Sequence, residues 1–184
     1  MTEAGTPVSE RASPEAEDVA SVHAGLEAAG WRRMPDEGFI ELVGPFWQHT
    51  VDKGRFCFLA EPRHHNRRGI VQGGMLVTFA DRSLGTTVRS VNTDRPQATL
   101  QLDVHFIDAA FIGEVIESRC RVFRRTKSLV FVDAEIMVGE RMVATVKGIW
   151  KIMSADAPNY LENKTSATSL APQSGAPQSG AKGS

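Results

Sequence analysis

Several things are scarce in this sequence, and each scarcity excludes something. There are only two cysteines, Cys57 and Cys120, both in strand-like runs without the spacing of a zinc site. They would allow one disulfide, but two buried free thiols in a reducing compartment are the plainer expectation. No run approaches the ~20 apolar residues needed to cross a bilayer. The stretch MTEAGTPVSERASPEAEDVA at the start is acidic and holds no apolar segment of the signal-peptide kind. Neither sign of charge prevails, with 21 Lys+Arg against 22 Asp+Glu. A near-neutral chain gives no long-range attraction to nucleic acid or to an anionic membrane, and basic residues do not interleave with aromatics as in nucleic-acid binders. The five histidines, His23, His49, His64, His65 and His105, show no His-x-His spacing. The expectation is a cytoplasmic protein with no metal, no nucleic-acid partner and no membrane span.

What is present fits one domain with two tails. Residues 1–14 lack apolar periodicity and are expected to be disordered. So are residues 158–184, where APQSG occurs twice in succession. Residues 15–157 form the domain. In SPEAEDVASVHAGLEAAG, Ser13 suits an N-cap, Pro14 the first helical position and Gly30 the stop, with Val19, Val22, Leu26 and Ala29 as the apolar stripe. FIELVGPFWQHT and GRFCFLAEP flank the turn-prone VDKG and read as a hairpin. A long helix is expected from about Gly73 to Val91. Four alternating strands then follow: QATLQLDVHFI, EVIESRCRVFR, LVFVDAEIMV and RMVATVKGIWKIM. Short turns between consecutive strands imply an antiparallel sheet, and the one long helix must pack against it. The class is α+β.

That helix carries the chemistry. At 100° per residue, Leu76, Ala80, Leu84 and Val88 share a stripe, while Arg82 and Arg89 lie opposite. Asp81 falls just beyond the edge of the stripe. A carboxylate at such a boundary costs free energy unless it is paired or used. It reads either as a structural carboxylate at the helix edge or as a working acid–base group. Gly73 and Gly74 stand where the helix begins, although helix propensity disfavours glycine there. They read either as a tight turn or as a place where backbone N–H groups and the helix dipole approach a negative charge closely. Amides that hold an oxyanion, with a carboxylate two turns on, would suit acyl transfer.

At this point NRRGIVQGGMLVTFAD, Asn66 to Asp81, resembles the signature of hotdog-fold acyl-CoA thioesterases of the phenylacetate-pathway group. These have a long central helix wrapped by an antiparallel sheet, and the resemblance covers roughly residues 36–153. Carried over residue by residue, it implies Asp81 as general base or nucleophile and the Gly73 amide as oxyanion donor. It implies that Asn66 orients water or the thioester carbonyl from a facing subunit, and that Thr99 helps to hold the water. Where the family usually has histidine before the two glycines, this chain has Gln72, which can donate a hydrogen bond but cannot be protonated. His64 and His65 are no replacement, since neighbours in an extended segment point to opposite sides. Gln72 and Gly74 are expected to touch substrate.

The same resemblance brings the turn FRRTKS near the phosphates of coenzyme A, so Arg124, Arg125, Lys127 and Ser128 are candidate substrate contacts. Read without it, the turn is an ordinary solvated hairpin tip. Coenzyme A would be part of the substrate and no cofactor is expected. Family members are homodimers or homotetramers with sites shared between subunits, and an uncovered sheet edge and helix face agree with that. The leading expectation is hydrolysis of an acyl or aryl thioester. The alternative is a hotdog module that binds acyl-CoA without turning it over.

Overall fold

In the computed structural model, residues 16–154 are described. The tails 1–14 and 158–184, and Ser13 and Pro14, lie outside these residues. The chain runs α1 (Ala16–Ala28), β1 (Trp31–Arg33), α2 (Phe39–Val43), β2 (Trp47–His49), β3 (Arg55–Leu59), a 3-10 turn (Pro62–His64), α3 (Gly73–Val91), β4 (Gln97–Phe106), β5 (Val115–Arg125), β6 (Leu129–Val138) and β7 (Arg141–Ile152). All strand pairs are antiparallel, in one seven-stranded sheet of order β1-β2-β3-β5-β6-β7-β4. The α+β class holds, and α3 keeps the bounds expected of it.

The order explains the place of α3. The chain leaves β3, inside the sheet, and re-enters at β4 on the far edge. The helix between them must therefore lie along the sheet. Its stripe of Leu76, Phe79, Ala80, Leu84 and Val88 is buried against inward residues of the sheet such as Ile116, Val130, Val132, Ile136 and Val146. Phe79 closes an aromatic cluster with Phe58 at 4.8 Å and Phe46 at 5.3 Å between ring centroids. Burying apolar surface on this scale drives the fold at roughly 25 cal/mol per Å². The alternation of β6 is as expected, with Val132, Ala134 and Ile136 inward and Asp133 and Glu135 turned away. Cys57 and Cys120 are both free. Burial pushes the Cys120 thiol up to about 12 and Cys57 higher still, so neither is a ready nucleophile.

Two expectations fail near the start. Residues 39–43 are a helix, not the first strand of a hairpin, and the hairpin partner of β3 is only Trp47–His49. The reason lies upstream. Trp31–Arg33 takes the strand position beside β2, and Met34 N–H donates to the Phe46 carbonyl at 2.8 Å. Residues 39–43 are left as the connection, entered through Gly38 at φ 62°, and coil into one turn of helix. Arg82 also departs from its expected solvated face, because it is half-buried and bonded to Asp36 at 2.7 Å.

Candidate active site

Asp81 stands half-buried on the flank of α3 that faces β4. The Thr99 hydroxyl donates to Asp81 Oδ1 at 2.9 Å. A bulge between Thr99 and Gln101 aims that hydroxyl. There the register with β7 slips by one residue, leaving Leu100 unpaired and 57% exposed. The sequence expected Thr99 to hold a water. In the structure its hydroxyl donates to the carboxylate, which leaves the hydroxyl oxygen able to accept from such a water. No other protein donor reaches the Asp81 carboxylate among the described residues, so Oδ2 stays open.

A brace missed in the sequence fixes this end of the helix. Gln97 Nε2 donates to the Gly85 carbonyl at 2.6 Å, and the Asn92 amide donates to Gln97 Oε1 at 2.5 Å. Asn92 is fully buried. These bonds hold the start of β4 to the C-terminal half of the helix, just beyond the Asp81–Thr99 contact. Nothing in the local pattern marks Gln97 or Asn92, since their pairing depends on the long connection.

The glycines sit two turns away. Eight residues at ~1.5 Å each separate Gly73 from Asp81 by about 12 Å along the axis. Both glycines answer close approaches. A Cβ on Gly74 would lie 2.7 Å from Gln72 Oε1, and one on Gly73 would lie 3.2 Å from the Phe106 ring. Gln72 folds back over Gly74 to cap the helix, accepting from the Met75 N–H at 3.1 Å. The residue in the family's histidine position is therefore the N-cap of α3. The first amides of a helix have no intrahelical acceptors and carry its positive end.

Asn66 lies in the loop before α3, half-buried, where its Oδ1 accepts the Arg68 N–H at 2.7 Å and shapes the turn. No hydrogen bond joins it to Asp81 within the chain. His64 and His65 differ in surroundings, although His64 closes a 3-10 turn and not an extended run. His64 is buried, with Nδ1 accepting from the Glu61 N–H at 3.0 Å and Nε2 facing the Val43 carbonyl at 3.0 Å. Burial and, after it, the nearby Arg63 hold its ring below the usual histidine value. It is a neutral structural ring that ties the loop to α2, while His65 is exposed.

Between α2 and the start of α3 runs a groove of about 380 Å³, lined by Phe39, Val43, Gln72, Gly74 and Met75 among others. No local pattern marks it, because it depends on the unexpected helix at 39–43. Arg124, Arg125, Lys127 and Ser128 are exposed. The turn is closed by Thr126, whose Oγ1 accepts from the Leu129 N–H at 2.9 Å. A register row runs Thr99, Trp150, Val130, Arg125 across the sheet. Three strand steps of ~4.8 Å put the turn about 14 Å from Thr99, at the same end of the sheet.

A long helix packed along one antiparallel sheet, with a carboxylate and a hydroxyl meeting at its edge, is the layout of the hotdog fold. The comparisons narrow it. The family model described as the thioesterase superfamily matches residues 68–145. A candidate esterase of Pseudomonas aeruginosa is 31% identical over 117 residues, which are 61% of this chain and 87% of that protein. A candidate thioesterase of Ralstonia eutropha JMP134, a phenylacetic acid degradation-related protein, is 22% identical with a TM-score of 0.52, over 70% of this chain and 89% of its own. A hypothetical thioesterase of Streptococcus pneumoniae TIGR4, solved with coenzyme A, is 20% identical with a TM-score of 0.52, over 54% of this chain and 80% of its own. This chain belongs to the thioesterase superfamily and is a thioester hydrolase. Its fold is that of the phenylacetate-pathway group.

Proposed function

We propose that this protein hydrolyses an acyl or aryl coenzyme A thioester, with Asp81 as general base or nucleophile and the Gly73 amide as oxyanion donor. The observation that carries this is the Thr99–Asp81 bond at 2.9 Å. It holds one carboxylate oxygen still and leaves the other open at the helix edge. In the general-base route, Asp81 takes a proton from water as the water oxygen adds to the thioester carbonyl carbon. The Gly73 N–H, at the positive end of α3, stabilises the resulting oxyanion. Collapse breaks the carbon–sulfur bond, and the thiolate leaves and is protonated. In the nucleophilic route an Asp81 oxygen attacks the carbon, the carbon–sulfur bond breaks to release the thiolate and leave a mixed anhydride, and water then hydrolyses that anhydride to the free acid and Asp81. Labelled water under single turnover separates the two.

One chain does not hold both halves close enough, since ~12 Å along the helix exceeds the reach of one carbonyl. Strand β4 supplies a solution. Its Thr99 end meets Asp81, its Phe106 end meets Gly73, and it is the last strand of the sheet. Two copies paired antiparallel along β4 set Asp81 and Thr99 of one beside Gly73 and Asn66 of the other. The protein then acts as a homodimer, or as a homotetramer built from such pairs. The groove beside Gln72, Gly74 and Met75 seats the acyl group. Arg124, Arg125, Lys127 and Ser128 meet the phosphates of coenzyme A. Coenzyme A is the leaving half of the substrate, and the scheme uses no resident cofactor. The neighbour solved with coenzyme A supports this choice of thioester.

Release of free thiol from short, medium, long and aromatic acyl-CoAs tests the reading. Native protein turns over part of the panel, and Asp81→Asn loses at least about 10²-fold in kcat, the size of a lost general base. Binding of acyl-CoA without turnover by the native protein would instead make Gln72 the mark of a binding module.

A further inference from the structure

On the flank of α3 away from Thr99 lies a second groove, of about 430 Å³. Its lining includes five cationic residues: Arg32 and Arg33 of β1, Lys53 of the β2–β3 turn, and Arg82 and Arg89 of α3. Among the described residues, no carboxylate lines it. In a chain of net charge −1, such a concentration of one sign is a local property, not a reflection of composition.

The neighbouring acids are already engaged. Asp36 pairs with Arg82, with a closest approach of 2.6 Å. Asp52, next to Lys53, accepts from the Gly54 N–H at 3.1 Å. Arg32, Arg33, Lys53 and Arg89 have no ion-pair partner among the described residues, and all four are exposed. The site is also built. Arg82 is fixed by Asp36 and by its bond to Thr86 Oγ1 at 2.9 Å. Gln48 Nε2 donates to the Lys53 carbonyl at 2.8 Å and sets the turn that carries that lysine. Like charges gathered in one recess repel, and a bound anion relieves that repulsion while gaining charge-assisted hydrogen bonds.

We propose that this groove binds a multiply charged phosphate ester or polyphosphate. A single small anion would fill little of its volume, and planar guanidinium groups suit bidentate contact with phosphate oxygens. The groove is separate from the Arg124–Ser128 turn and does not rest on the assignment of Asp81. The same phosphate chemistry has two sources, a free polyphosphate or the nucleotide end of coenzyme A.

Calorimetric titration of the full chain with tripolyphosphate and, separately, with adenosine 3′,5′-bisphosphate tests the proposal. At least one binds, more weakly as salt is raised. The double variant Arg33→Gln/Arg89→Gln binds it about 100-fold less tightly, near tenfold per guanidinium lost. Lys53→Gln gives a smaller loss in a protein whose melting is unchanged, which guards against a variant that misfolds. Tighter binding of the bisphosphate assigns the groove to the nucleotide, and tighter binding of tripolyphosphate assigns it to a free polyphosphate. Failure of both to bind overturns the proposal. So does binding that survives Arg33→Gln/Arg89→Gln but is lost in Arg124→Gln/Arg125→Gln.

Discussion

Strands β4 and β6 have ten residues each and belong to the same sheet, yet they live in different surroundings. β6 sits between β5 and β7 and buries Val130, Val132, Ala134 and Ile136 under α3. β4 is the last strand, and none of its ten residues is fully buried in the single chain. Leu100 and Phe106 are 57% and 55% exposed there. A long strand with an open edge and large apolar side chains is a template for pairing. β6 thus holds the domain together, while β4 carries Thr99 to Asp81 and, in the proposed reading, offers its edge to a second copy.

That contrast can be broken or sharpened by substitution. The largest effect is expected in β6. Ile136→Ala should cost about 2–5 kcal/mol of stability, because a cavity opens under α3, and chemical denaturation would measure it. Leu100→Lys in β4 should leave the fold nearly as stable, within about 0.5 kcal/mol for an exposed position, yet shift sedimentation toward the single chain. Equal losses of stability at the two positions would dissolve the contrast.

Next come the residues that meet at β4. Asp81→Asn should lower kcat by at least about 10²-fold with the melting temperature nearly unchanged. Thr99→Val keeps the shape and removes the hydroxyl. It should cost roughly 10- to 100-fold in kcat, from the loss of about 1.5–3 kcal/mol for one hydrogen bond to a charged group, and leave KM much less altered.

The smallest effect concerns His64. Its folded value lies below the ordinary 6.5, chiefly through burial. The unfolded chain therefore binds a proton more readily, and stability rises with pH through this window. It should be full above about pH 6.5 and fall as the pH drops toward the lowered folded value, by a few degrees in Tm at most. His64→Gln should flatten that slope in thermal melts taken between about pH 7.5 and 5.5. An unchanged slope would remove His64 as its source.

The parts legible in the sequence are those where a local pattern coincides with burial. The stripe of α3 and the alternation of β5 to β7 announce themselves because one face of each must reach the same core. Asp81 was legible for the same reason, as a charge at the edge of that stripe. The segment 39–43 was not. Its apolar and aromatic residues look like strand until Trp31–Arg33 takes the place beside β2, a competition decided by a contact distant in sequence. The Gln97–Gly85 brace and the groove beside Gln72 share that origin. Gln72 shows a subtler limit. Its identity as a departure was plain, but its use as the cap of α3 depends on the missing side chain at Gly74.

The central claim is that a working site takes Asp81 from one copy and Asn66 and Gly73 from another. The most direct test combines Asp81→Asn with Asn66→Ala, each inactive or nearly so alone, by refolding the two chains together. In a pair of one chain of each kind, one site loses both residues and the other regains both. Random pairing should then restore about a quarter of native activity. Activity that stays at the level of the separate variants, in a mixture shown by mass spectrometry to contain mixed pairs, would contradict a shared site.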